Sequence, residues 1–414
     1  MKLNYGKTFL LGFGFFGVSI IWGVYNAFVP LFLANKFGLA PAFIGFFMTL
    51  DNIAALFIQP PVGAWSDRMR TPIGRRMPFI LIGAPVGALA FGLIPIAAVL
   101  PLFVACTSTL LLSMAFWRTP VVALMPDITP SQFRSQANGI INFMGGLGAI
   151  ISFLGGAALY EMNPAFPFWM GSALVVAASA LLLIFIKEPQ QPEAAGHEPG
   201  MLASLREMMA NPDRSALRLL SAIFFWFVGY SAIEAFFTLY AVNHLKIEEA
   251  AGARLLGQLS LLFVIFALPA GYIGARFGRR RTIQAGIMLI TAALVLIFVL
   301  PVATLTTQLT RLPVLGVVPV IGVLLMFSGA AWALININSL PMVVDMTDQA
   351  RIGTFTGLYY LASGLSAIVG PNINGLVIQF TGKNYNSLMF VAPLFMIAAL
   401  VLMLGVKKGE SQSL

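Results

Sequence analysis

The feature that most constrains this chain is a succession of apolar stretches, each about 20 residues long, with nearly all charge confined to the short loops between them. Of its 414 residues, 59% are hydrophobic and only 9% are charged. A soluble domain carries about 25% charged residues. A surface this poor in charge must face lipid. Inside a bilayer every backbone N–H and C=O needs an internal partner, which leaves helices or a closed barrel. The apolar stretches are too long for barrel strands and do not alternate apolar with polar, so helices are expected.

Twelve spans are expected, at 8–34, 42–64, 78–98, 101–125, 136–160, 167–186, 217–242, 252–274, 282–303, 313–340, 353–379 and 386–406. The fold class is therefore an all-α polytopic membrane protein. The first span follows Lys2 and Lys7 directly with no small-residue cleavage site, so it reads as a retained helix. Most loop cations fall on one side: Arg68, Arg70, Arg75, Arg76 and Arg134 in the first half, then Arg276, Arg279, Arg280, Arg281 and Arg351 in the second. The positive-inside rule puts that side, and both termini, in the cytoplasm of a cell (inner) membrane. The net charge of +9 is thus a matter of orientation and lipid contact; nucleic-acid binding is not expected. Cys106 stands alone, so there is no intrachain disulfide, and no metal site or other cofactor is foreseen. His197 and His244 sit singly in polar stretches, as solvated histidines do.

The stretch 187–216 is the one long polar segment, with Pro189, Pro192, Pro199 and Gly200. It reads as a linker between two bundles of six helices, 1–186 and 217–414. The bundles carry repeated marks. Asn35 and Asn243, Gly63 and Gly271, and Arg68 and Arg276 all stand 208 positions apart, and Asn26-Ala27-Phe28 is echoed by Glu234-Ala235-Phe236 at the same spacing. Later marks, Thr129 and Thr347, Gly139 and Gly357, Gly146 and Gly364, stand 218 apart. Parallel halves suit a carrier that binds cargo near the membrane midplane.

Ionisable residues inside a span are costly, by about 2.5–3.5 kcal/mol on insertion scales. Asp51, Arg118 and Glu234 are the conspicuous ones. Asp51 and Glu234 are candidates for carrying a coupling proton, because burial disfavours a carboxyl's charged form; the alternative is a structural acid satisfied by neighbours. Arg118 could hold substrate hydroxyls or a carboxylate, or fix two helices as a permanent ion pair. Asn336 is its counterpart in the second half. Asn26 and Trp22 share a helix face, as do Asn138 and Asn142, and Glu234 and Tyr230. Trp22, Tyr25, Trp117, Tyr230 and Trp332 could stack on an apolar face of a cargo molecule or simply pack. Trp117 is favoured for stacking because it adjoins Arg118.

The sharpest motif is Gln59–Ile80, QPPVGAWSDRMRTPIGRRMPFI, containing Asp67, Arg68, Arg75 and Arg76. A reduced copy holds Gly271, Arg276 and Gly278, with Ala275 where Asp67 stands in the first half. With Ala123-Leu124-Met125-Pro126-Asp127-Ile128-Thr129, Arg134 and Ala137-Asn138, this resembles the major facilitator superfamily, and within it the sucrose–proton and glycoside–cation symporters. The resemblance implies a major facilitator fold and proton-coupled import of a disaccharide or related glycoside by alternating access; the chain is expected to function as a monomer. The plant sucrose carriers place an arginine at the position of Val122; Arg118 lies one turn deeper. The two acids of melibiose-type sodium carriers correspond to Ala55 and Gln59, so a proton is the better coupling ion. Asp127 and Asp345 end the fourth and tenth spans and are expected to pair with loop arginines. Competing readings are a proton-coupled exporter of a drug, sugar or metabolite, an uncoupled sugar uniporter, and a flux-free membrane sensor. An enzyme is not expected: no nucleophile–base pair, metal cluster or phosphate loop is present.

Overall fold

A computed structural model describes residues 4–129, 134–188, 213–347 and 351–409. Most of the expected linker, His197 included, lies outside the described residues. Among those described, eleven helices are long and apolar enough to cross a membrane, and Met77–Leu93 is a shorter twelfth.

In the first half α1 is Tyr5–Leu31, extended by a wider turn over Phe32–Lys36. Asn4 caps it, its Oδ1 accepting from the Lys7 N–H at 3.0 Å. The second span is broken in two, α2 (Pro41–Phe47) and α3 (Leu50–Arg68). Then come α4 (Met77–Leu93), α5 (Leu100–Ile128) and α6 (Arg134–Ile150). A wider turn over Ile151–Gly155 carries α6 into α7 (Gly156–Met162), and α8 is Phe166–Phe185. Proline occupies the first turn of α2, α4, α5 and α8, where its missing N–H costs nothing.

The second half holds α9 (Ser215–Asn243), α10 (Glu249–Phe277), α11 (Arg279–Val299) and the single turn α12 (Val302–Leu305). After a short two-stranded segment follow α13 (Val320–Val344), α14 (Ile352–Phe380) and α15 (Ser387–Leu404). The strands are a correction to the sequence reading. The tenth span was expected from 313, but β1 (Gln308–Leu312) and β2 (Gly316–Pro319) pair antiparallel there. Gly316 turns the chain at φ 67, a conformation open to glycine, and β-branched Val317 and Val318 continue as strand. Gln258 of α10 secures the hairpin, its Nε2 donating to the Leu315 and Val317 carbonyls at 3.1 and 2.8 Å.

The chain resolves into two compact units. Unit 1 is Met1–Leu39, Leu50–Ala194 and Glu249–Gly257; unit 2 is Ala40–Thr49, Ala195–Glu248 and Gln258–Leu414. Each half therefore lends a short segment to the other unit, at α2 and at the start of α10. Within unit 1, α1 lies against α6 at small residues: a Cβ on Gly148 would stand 2.6 Å from the Phe16 carbonyl oxygen. Within unit 2, Gly370 of α14 meets the Val228 carbonyl of α9 in the same way, at 2.4 Å. Such sites let helix backbones close together where lipid offers no hydrophobic drive. The helices of spans three, six, nine and twelve turn large apolar side chains outward, among them Leu89, Ile184, Leu289 and Val401. That is a surface made for hydrocarbon, not water.

Candidate functional site

Unit 1 draws its polar groups within the spans from four helices. Asp51 stands in the first turn of α3, where the helix restarts after the break at Met48–Thr49. Asn52 donates from Nδ2 to Asp51 Oδ1 at 2.8 Å. The carboxylate also lies within electrostatic reach of Arg118 on α5 and of Tyr25 on α1. Asp51 and Arg118 are both half-buried. Tyr25 is buried, and Trp22 sits edge-on to it with ring centroids 5.7 Å apart. Asn26 is half-buried one turn on from Trp22. On α6, Asn138 and Asn142 are exposed together, with Asn142 Nδ2 donating to the Asn138 carbonyl at 2.8 Å.

Trp117 stands apart from this set. It is 1% exposed and packs against α4, where a Cβ on Gly83 would fall 2.8 Å from its own Cβ and one on Gly87 3.7 Å from Nε1. One residue is a rotation of about 100° on a helix, so adjacency to Arg118 in sequence does not place both side chains in one site. Its geometry is that of a helix-packing residue.

Unit 2 has a different character. Tyr230 of α9 and Trp332 of α13 stack face to face, centroids 4.0 Å apart and planes at 4°. Phe227 stands edge-on to Trp332 at 5.3 Å and to Tyr359 of α14 at 6.3 Å. Ser339 and the Tyr359 hydroxyl share a hydrogen bond of 3.1 Å. Glu234, half-buried one turn from Tyr230, acts electrostatically on it. Asn336 is half-buried. Asn338 is buried and turned to α10, its Nδ2 donating to the Ala270 and Leu334 carbonyls at 3.0 Å each. Sequence reading did not single out Phe227, Tyr359 or Ser339; in a chain this rich in aromatics nothing local marks them.

At the arginine-rich face of unit 1, the motif loop closes on itself. Arg76, buried, gives Nη2 to Asp67 at 2.6 Å, Nε to Asp127 at 2.9 Å and Nη1 to Ser66 Oγ at 2.6 Å. Arg75 pairs with Asp127 at 2.7 Å and reaches Asp67 at 3.9 Å. Glu188, which follows α8, was not foreseen. Its carboxylate accepts from the backbone N–H groups of Arg75 and Arg76, the latter at 2.9 Å, at the open N-terminus of α4. Helix N-termini favour an anion in that position. Burial nevertheless pushes the Glu188 carboxyl above its ordinary value, against the pull of those N–H groups. Arg68 is exposed. Arg134 opens α6, and its side chain lies outside the described residues. In unit 2, Arg279 and Asp345 form an ion pair, while Arg276 is exposed and lies over the Phe277 ring at 5.5 Å.

Membrane-length helices that hold charged and aromatic side chains within the spans, with an ion-paired loop at one face of unit 1, define a polytopic membrane protein. The chain belongs to the Major Facilitator Superfamily, whose profile matches residues 11–371 and again 255–413. It is similar to the sucrose transport protein SUC3 of Arabidopsis thaliana, 26% identical over 192 residues, 41% of this chain and 32% of that protein. The chain thus spans about a third of the length of the sucrose carriers it matches. It is also similar to the class E tetracycline resistance protein of Escherichia coli, 24% identical over 398 residues, 93% of this chain and 91% of that one. Among solved structures, the nucleoside transporter NupG superposes with a TM-score of 0.75 at 15% identity, covering 97% of this chain and 100% of NupG, a likeness of fold alone.

Proposed function

We propose that the protein couples proton movement to the import of a disaccharide or related glycoside. The observation that carries this reading is the Asp51–Arg118 relationship in unit 1. A carboxylate within a span that feels a guanidinium's charge can take up and release a proton, and the guanidinium can hold either the ionised carboxylate or substrate hydroxyls. Asn26, Asn138 and Asn142 supply further donors and acceptors in the same unit. In unit 2, the stacked pair of half-buried Tyr230 and Trp332 offers aromatic surface suited to the apolar face of a pyranose ring, with Glu234 one turn from Tyr230. Asp67, Arg68, Arg75, Arg76, Asp127, Arg134, Arg276 and Asp345 act at the loops and not on cargo. In this reading the arginine-rich face is cytoplasmic.

A second reading is proton-driven export of a drug or metabolite. It is favoured by the match to the tetracycline resistance protein over nearly the whole chain. One experiment separates them. Thermal stability of the purified protein is measured against sucrose, maltose, melibiose, tetracycline and tetraphenylphosphonium, since a ligand of the folded state raises the melting point. Stabilisation by a disaccharide, lost in Arg118→Ala, supports the sugar reading; sugar-triggered inward proton flux in vesicles then supports symport. Stabilisation by tetracycline or the organic cation alone overturns it in favour of export.

A further inference from the structure

The β-hairpin between α11 and α13 lies at the end of unit 2 opposite its arginine-rich loop, and its depth can be counted along α10. A helix crosses the hydrocarbon core in about 20 residues. Counting back that far from Arg276, at the arginine-rich end of α10, reaches Leu256. Buried Gln258 therefore sits at the far edge of the core. Its Nε2 donates to the Leu315 and Val317 carbonyls, which brings the hairpin to the same level. The same count from Arg279, which opens α11, ends at Val299, the last residue of that helix and 61% exposed. The hairpin thus occupies the boundary between acyl chains and headgroups.

Its composition suits that level. Residues 300–319 hold one charged residue, Arg311, and no acid. A water-facing stretch of that length would carry about five charges. Every residue of β1 is exposed. Leu309 is 57% exposed, Leu312 41% and Val314 71%, so large apolar side chains flank the arginine on both sides in sequence.

An open strand edge could instead receive another protein chain. β1 is poorly made for that. Its pairing with β2 slips at Leu309, between Gln308 and Thr310. Pro313, which has no N–H, follows at once, and Arg311 stands on the edge. Bulge, proline and cation are the devices that keep strands from docking. The hairpin is also held down. The Thr307 carbonyl accepts from the Val320 N–H at 3.0 Å, closing its base. Gln258 is fully buried, and its Oε1 has no partner among the described residues. Lifting the hairpin away would strand the rest of that buried amide, which is costly.

We propose that this hairpin is a phospholipid-binding site: the Arg311 guanidinium takes the phosphate of an anionic phospholipid, while Leu309, Leu312 and Val314 enter the acyl boundary. A guanidinium matches phosphate with two parallel N–H donors, and its long stem lies along apolar surface while the charge reaches the headgroup. Through Gln258 the bound lipid steadies α10. The site requires a membrane-spanning chain and nothing of the cargo, so its test is independent of the sugar reading.

In a Cys106→Ser background, Val314→Cys carries an NBD dye in the purified full chain, reconstituted into phosphatidylcholine vesicles. Nitroxide-labelled phosphatidylglycerol or phosphatidylcholine is added in trace amounts. The lipid nitroxides are expected to quench the dye where aqueous iodide does not, with the phosphatidylglycerol form about fivefold more effective. Arg311→Gln should abolish that preference and keep the quenching. Quenching by iodide and not by lipid would put the hairpin in water and overturn the proposal. So would equal quenching by the two lipids with Arg311 present, or a preference that survives Arg311→Gln. Dye self-quenching that persists on dilution into excess lipid would assign the edge to a second copy of the chain, and would overturn it as well.

Discussion

Arg76 and Asp127 meet through Nε and Oδ2 at 2.9 Å, with side chains only 6% and 13% exposed. The guanidinium also holds Asp67 and Ser66, so one residue joins the end of α3, the start of α4 and the end of α5. Removing one partner of a shielded pair leaves the other charge uncompensated, at a cost of about 3–5 kcal/mol. Arg76→Ala should therefore lower the melting temperature in detergent markedly, while Arg68→Ala, at an exposed position, should leave it nearly unchanged. Equal effects would show that the network does not hold these helices.

Glu188 predicts a pH dependence of stability. Burial raises its folded-state carboxyl above the ordinary value, so the folded protein binds its proton more tightly than the unfolded chain does. The stabilising contribution is full below the ordinary carboxylate range and is lost as pH rises through the raised folded value. Glu188→Gln should flatten that part of the stability profile, measured by thermal unfolding across pH 4 to 8, a window set by ordinary carboxyl values of about 4.3 upward. An unchanged slope would assign the dependence elsewhere.

Trp117 and Tyr230 should separate structure from cargo. Trp117→Ala removes a fully buried ring lying against Gly83 and Gly87 and should cost about 3–5 kcal/mol in stability. Gly83→Ala, which would set its Cβ 2.8 Å from that of Trp117, should cost about 1–3 kcal/mol. Tyr230→Ala should instead weaken ligand-induced stabilisation more than it lowers the melting point of the free protein. The opposite ranking would move the substrate contact to Trp117.

Asn338 and Gly274 should behave as one unit. A Cβ on Gly274 would fall 1.8 Å from Asn338 Oδ1, so Gly274→Ala should be destabilising while Asn338 is present. The double change to alanine should be less destabilised than the sum of the two singles, by about 0.5–3 kcal/mol for residues in contact. Additive effects would mean that Asn338 does not pin α13 to α10.

The span positions and the spacing of the repeat were legible in the sequence because hydropathy and charge are properties of the residues themselves. The helix over 5–36 and the pairing of an arginine loop with the motif acids follow from that local chemistry. What the sequence left open is rotation. A membrane helix is apolar on the side facing lipid and on the side facing its neighbours, so no apolar stripe marks the inward face. For that reason Trp117 could not be turned toward α4 from sequence, nor Tyr230 laid against Trp332. Glu188 was hidden because its partners are backbone N–H groups more than a hundred positions away in the chain, and backbone carries no sequence signal. The β-hairpin displaced the start of the tenth span because a short apolar run does not by itself distinguish strand from buried helix, and the pairing of β1 with β2 and the Gln258 hydrogen bonds from a distant helix hold the strand. The exchange of α2 and the first turns of α10 between units was decided in the same way, by close packing at Gly45 and Gly375 in one segment and by Glu249 and Arg254 in the other. Long-range contact made each of those choices among conformations that the local residues permit.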